Sequence, residues 1–115
     1  MKYLVEQRDD IVIIYLQEKL DISASLEIEE EISEKLEKEI KYIVFDFKNT
    51  QYISSSGIRV LVATHKTLDK RGGALYLSNI SESVKIVLKL VELDKILNIV
   101  ESVEVALLEI DGRKK

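Results

Sequence analysis

The segment Tyr52-Ile53-Ser54-Ser55-Ser56-Gly57-Ile58-Arg59-Val60-Leu61 holds most of the chemistry that this chain can offer. Three hydroxyls and a glycine stand between an apolar run and an amphipathic stretch, which is the place of a helix N-terminus. There the first backbone N–H groups lack intrahelical acceptors and the helix dipole presents its positive end. A phosphate suits such a place, because a serine oxygen can carry it and the free amides offset its charge. By spacing alone the same serines are caps, each replaceable at about 1 kcal/mol.

The other reactive side chains exclude more than they suggest. Cysteine is absent, so no disulfide, thiolate catalyst or Cys-ligated zinc can form. The one histidine, His65, cannot build a histidine metal cluster, and no metal or cofactor is expected. His65 also follows Ser55 by more than two helical turns, beyond the reach of a nucleophile–base pair. The serine run lacks the Gly-x-Ser-x-Gly pattern of a nucleophile elbow, and no Walker-type lysine loop exists. A binding module rather than an enzyme is expected. Asp46 ends an apolar run, where a phospho-receiver would carry its acceptor. A receiver also needs an acidic pair after its first strand, and here Asp9-Asp10 fall in a hairpin turn. Asp46 is therefore read as structural, bonding loop amides.

Of the 115 residues, 46% are hydrophobic and 33% charged, the balance of a folded domain with one core. The net charge of −4 argues against general nucleic-acid affinity. No apolar stretch approaches the roughly 18 residues of a membrane span. Met1-Lys2-Tyr3-Leu4-Val5-Glu6 meets charge too early for a signal peptide. Cytoplasmic residence without membrane insertion is the expectation.

These serines must be held by a scaffold, and its elements show in the pattern. Tyr3 to Glu6 and Ile11 to Leu16 predict an antiparallel hairpin around Arg8-Asp9-Asp10. Ile28, Ile32, Leu36 and Ile40 recur every four residues and predict one buried helical stripe. Glu31 with Lys35 and Glu34 with Lys38 stand in the favourable i,i+4 order on its wet side. Tyr42 to Phe47 reads as a strand covered on both faces. A helix from about Ser56 to Lys70 should bury Ile58, Leu61, Val62 and Leu68 and end at Gly72-Gly73. Ala74 to Ser78 is a strand. Ser81 caps a helix with Val84, Val87, Leu88 and Val91 inward. A short helical turn over Leu93 to Leu97 precedes the strand Asn98-Ile99-Val100. Ser102 caps a last helix burying Val105, Leu108 and Leu107 or Ile110, and Asp111 to Lys115 is a charged tail expected to fray. The order β-β-α-β-α-β-α-β-α predicts an α/β domain: a mixed sheet of about five strands, mostly parallel with one antiparallel edge, and about four helices. One domain spanning 1–115, with its core at 3–110, is expected.

This order, Leu20-Asp21 before the first helix, Ile43-Val44-Phe45-Asp46, and Ile53-Ser54-Ser55-Ser56-Gly57-Ile58-Arg59-Val60-Leu61 together resemble a STAS domain, most of all the bacterial anti-sigma factor antagonists. The resemblance covers roughly residues 3–110, and Leu93-Asp94-Lys95-Ile96 with Asn98-Ile99-Val100 fits it too. It implies Ser55 as a phosphoacceptor, Ser56 as the second hydroxyl, Gly57 as the loop glycine and Asp21 as an acid used in kinase recognition. The implied partners are a serine kinase that is also the anti-sigma factor and a PP2C-type phosphatase, in transcriptional control of stress response or sporulation. The family usually places aspartate just before the acceptor, where this chain has Ser54. That departure leaves room for an alternative: a STAS scaffold or adaptor subunit of a signalling assembly or transport complex.

The outer side of the second helix, with Arg59, Val60, Ala63 and Thr64, adjoins the loop and is the candidate docking surface. Val60 and Ala63 equally suit a wider core.

Overall fold

The computed structural model describes residues 3–115; Met1 and Lys2, part of the early-charge argument above, lie outside them. Strand β1 (Leu4–Arg8) turns at Asp9, which adopts a positive φ of 54°, into β2 (Ile11–Tyr15). A short strand β3 (Lys19–Leu20) feeds helix α1 (Ile22–Leu36). Then come β4 (Tyr42–Asp46), a short β5 (Tyr52–Ile53), α2 (Ser55–Lys70), β6 (Ala74–Ser78) and α3 (Glu82–Leu90). A 3-10 turn (Leu93–Lys95), β7 (Asn98–Val100) and α4 (Val103–Arg113) complete the chain.

The main sheet runs β1-β2-β4-β6-β7, with β1 antiparallel to β2 and every other pair parallel. This is the mixed five-stranded sheet with four helices that the sequence predicts. Every residue of β4 and β6 is buried, which explains their unbroken apolar runs. Alternation divides the core. Val12, Ile14, Ile43, Phe45, Leu75 and Leu77 pack with α1, α2 and α3 on one face. Ile13, Tyr42, Val44, Ala74 and Tyr76 pack with Ala106 and Ile110 of α4 on the other.

Several expectations are corrected. Helix α1 ends at Leu36, so Ile40 is buried in the connection to β4 rather than on the helix. Arg71 makes that ending possible: its guanidinium donates to the carbonyls of Leu36 (2.7 Å), Lys38 (3.3 Å) and Ile40 (3.4 Å). Lys35 pairs with Glu31 at 3.0 Å as expected, but Glu34 lies 3.9 Å from Lys35 instead of pairing with Lys38. Helix α2 buries Gly57, Val60, Leu61, Thr64 and Leu68, leaving Ile58 and Val62 only half-buried. In α3, Val84 and Leu88 are buried while Val91 lies just past the helix end and is exposed. Helix α4 buries Ala106 and Ile110, four residues apart, which turns Leu108 outward. The charged tail is not frayed. Arg113 donates to the Tyr76 hydroxyl at 2.8 Å, and Lys114 pairs with Asp10 at 2.5 Å.

Gly72 and Gly73 close α2 as predicted. Gly72 takes φ +80°, and the Gly73 N–H donates back to the Leu68 carbonyl at 2.9 Å, a Schellman-type ending. A Cβ on Gly73 would lie 1.6 Å from the Lys41 carbonyl oxygen, so only glycine fits there.

Candidate functional site

The site is assembled by the small ladder that the sequence did not reveal. Strands β3 and β5 pair in parallel, Lys19 with Tyr52 and Leu20 with Ile53. The residues that follow, Asp21 and Ser54, are therefore neighbours, and each is the N-cap of the helix it precedes. Asp21 Oδ1 accepts from the Ala24 N–H at 3.0 Å. Ser54 Oγ accepts from the Gly57 N–H at 3.2 Å and donates to the Leu20 carbonyl at 3.0 Å. The Ser54 N–H donates to that same carbonyl at 2.9 Å. Two helices thus open side by side from one short ladder.

Of the three serines Ser54 is the cap, and α2 starts one residue earlier than predicted. Ser55 is then the first helical residue and is exposed; Ser56 is half-buried. The amides of Ser55 and Ser56 belong to the first turn and have no intrahelical acceptor. Among the described residues the Ser55 hydroxyl has no hydrogen-bond partner. A recess of about 420 Å³ runs between the two helix starts, lined by Asp21, Ile22, Ser23, Tyr52, Ser54 and Ser55. Arg59 lies one turn after Ser55 on the same helical face, exposed, and in no ion pair among the described residues. Gly57 lets the helix start press on β3 and β5: a Cβ there would meet Ile53 Cγ1 at 2.8 Å and the Leu20 carbonyl oxygen at 2.9 Å.

Two of the four residues expected on a docking surface are not on the surface. Val60 and Thr64 are buried, with the Thr64 hydroxyl donating to the Val60 carbonyl at 2.7 Å. Helix α2 packs on the sheet through Leu61 and Leu68 and turns Val60 and Thr64 toward Ile32 and Leu36 of α1. Arg59 and Ala63 remain exposed. Sequence reasoning missed the exposed apolar side chains here: Ile22 and Tyr52 line the recess, and Leu26 lies one turn beyond Ile22. Ile22 is 66% exposed, Leu26 58% and Tyr52 50%. Ile22 and Leu26 stand four apart but out of phase with the buried stripe of α1, and that was the available signal.

Asp46 is structural as read, though its partners differ. Its Oδ1 accepts from the Ser78 hydroxyl (2.8 Å) and the Asn79 side-chain amide (2.6 Å), joining the ends of β4 and β6 rather than bonding loop amides. His65 is half-buried midway along α2. No helix among the described residues is long and apolar enough to cross a membrane.

Comparison with known proteins gives this geometry relatives. The STAS domain family matches across residues 2–106. An anti-sigma F factor antagonist of Paenibacillus polymyxa is 26% identical over 108 residues, spanning 93% of this chain and 92% of that protein. Among solved structures, the anti-sigma factor antagonist SpoIIAA in its unphosphorylated form superposes with a TM-score of 0.85 at 23% identity, over 96% of each chain. The phosphorylated form of the Bacillus cell fate determinant SpoIIAA superposes at 0.76 and 22% identity, over 94% of this chain and 98% of its own. At these identities the two structures establish the shared fold, while the family match spans both helix starts and the Ser54–Gly57 segment that caps and opens α2; the chain belongs to the STAS domain family.

Proposed function

We propose that this protein is an anti-sigma factor antagonist switched by phosphorylation of Ser55. Unmodified, it binds a serine kinase that otherwise sequesters a sigma factor. The kinase transfers the γ-phosphoryl group of ATP to the Ser55 oxygen and the complex parts; a PP2C-type phosphatase hydrolyses the phosphoserine and restores binding.

The observation that carries this reading is the Ser55 hydroxyl, exposed at the first position of α2 on the rim of the recess that Asp21 also lines. A phosphoserine adds about −1.5 to −2 charges and three acceptor oxygens. The free amides of the first turn and the helix dipole offset part of that charge, by about 0.3–1 kcal/mol at an exposed site. Arg59 adds a cation one turn away. The fold therefore tolerates the modification, and the change falls on the partner. A surface fitted to the neutral rim of Ile22, Tyr52 and Ser55 would face a dianion next to Asp21. A penalty of about 3 kcal/mol there lowers affinity roughly a hundredfold. The test is incubation with the cognate kinase and ATP, followed by mapping of the phosphorylated residue. Phosphate on Ser55, lost in Ser55→Ala, is expected; labelling that persists in Ser55→Ala refutes the reading.

A second reading is a scaffold or adaptor subunit of a signalling assembly or transport complex, without phospho-switching. Ser54 favours it, because its hydroxyl is used twice inside the fold and the position just before Ser55 offers no carboxylate. Co-purification from the native host separates the two: a large assembly or a transporter component supports the scaffold, a small complex with a kinase the antagonist.

A further inference from the structure

The sheet contains a place where the chain diverges. Strand β6 leads into α3 on the face shared with α1 and α2, while its parallel neighbour β7 leads into α4 on the opposite face. In open parallel sheets, ligands lodge outside the C-terminal strand ends at such a divergence. An open depression of about 680 Å³ lies there. It is lined from both sides of the sheet, by Ile99, which packs with the three-helix layer, and by Val100, which packs with α4. Ile80 and Val105 complete its apolar part.

Its lining carries charges of both signs. Lys48, Lys85, Glu82, Glu101 and Glu109 all line it and all are exposed, yet none is in an ion pair among the described residues. Cations and carboxylates that share one depression without neutralising each other are available to a ligand carrying both signs. Ser81 caps the start of α3 at Val84, where the helix dipole presents partial positive charge and Glu82 stands in the first turn.

We propose that this crevice binds a small zwitterion with an apolar body, of the short free peptide type. Its carboxylate is taken by Lys48 and Lys85, its ammonium by Glu101 and Glu109, and its aliphatic groups by Ile80, Ile99 and Val105. The site involves no residue of the Ser55 platform and stands or falls without it. Lys48 belongs to the connection between β4 and β5, so an occupant would touch the segment that leads to Ser54.

The test is an amide-resonance titration of the full-length isotope-labelled protein with leucyl-leucine. Its N-acetyl form lacks the ammonium and its C-terminal amide lacks the carboxylate. Saturable shifts at Asn79, Ile80, Lys85, Val100 and Val105 are expected, with affinity at least tenfold weaker for either capped form. The double variant Lys48→Ala/Lys85→Ala, at two exposed positions outside any ion pair, should weaken the free dipeptide tenfold and leave the amide form unchanged. No saturable shift at these amides up to about 10 mM, where binding would be worth under about 3 kcal/mol, overturns the proposal. Equal affinity for the capped forms, or for the double variant, overturns it as well.

Discussion

The Ser54 hydroxyl donates to the Leu20 carbonyl and accepts from the Gly57 N–H, so one side chain both caps α2 and ties it to β3. An aspartate at this position could cap but could not donate. Ser54→Ala removes both bonds and is expected to cost about 1–2 kcal/mol. Urea denaturation at neutral pH measures this; a change within error would show that the two bonds contribute nothing net.

Gly57→Ala sets local preference against packing. Alanine is favoured over glycine in a helix by about 0.8–1 kcal/mol. Its Cβ would nevertheless sit 2.8 Å from Ile53 Cγ1 and 2.9 Å from the Leu20 carbonyl oxygen. Overpacking of this kind costs about 1–3 kcal/mol, so a net loss is expected. A stabilised variant in thermal or chemical melts would refute the close approach.

Arg71 stands just past the end of α2 yet closes α1, donating to the carbonyls of Leu36, Lys38 and Ile40. Arg71→Ala is expected to lower stability by about 1–2 kcal/mol and to speed amide exchange near residues 38–42. Arg71→Lys should recover little, because an ammonium cannot reproduce the planar fork. Full recovery by lysine would assign the effect to charge alone.

Two phenols set an alkaline limit. The Tyr3 hydroxyl donates to Glu31 at 3.2 Å and that of Tyr15 to Glu6 at 3.0 Å. Burial first, then these bonds and the nearby carboxylates, raise both above the ordinary tyrosine value of 10.0. A group raised in the folded state contributes its full stability below the unfolded value and loses it as pH rises through the folded one. The stability gap between the wild type and Tyr3→Phe/Tyr15→Phe is therefore expected to narrow above pH 10. Denaturation midpoints across that range check it, and a constant gap would contradict the shifts.

Ile22 and Tyr52 flank the recess beside Ser55 without supporting the core. Under the proposed function, Ile22→Ala and Tyr52→Ala should each weaken kinase binding about tenfold or more while leaving the melting temperature nearly unchanged. Calorimetric binding alongside melting curves reads both. Wild-type affinity in both variants would move the docking surface elsewhere.

What could be read from the sequence was what periodicity carries. The apolar runs of β2, β4 and β6 and the stripe Ile28-Ile32 lie along elements that each face one or two layers, so their order and the sheet followed. The errors fall where a helix touches two layers. Val60 and Thr64 are buried against α1, which no pattern within α2 alone could announce. Leu108 and Val91 look like core residues because apolar type says nothing about where a helix stops or turns. The β3–β5 ladder is two residues long on each side, too short to produce alternation, yet it makes Asp21 and Ser54 neighbours. Ser55 itself was legible, because hydroxyls before an amphipathic stretch mark a helix opening whatever the rest of the fold does.

One whole face of the sheet has α4 as its cover. During synthesis on the ribosome, Ile13, Val44 and Tyr76 are made long before residues 103–113. Until those last residues emerge, the nascent chain can close only its other half and must carry a bare greasy plane into the crowded cell. A premature stop just after Val100 would thus yield a sticky fragment prone to chaperone capture, rather than a slightly shortened but working protein.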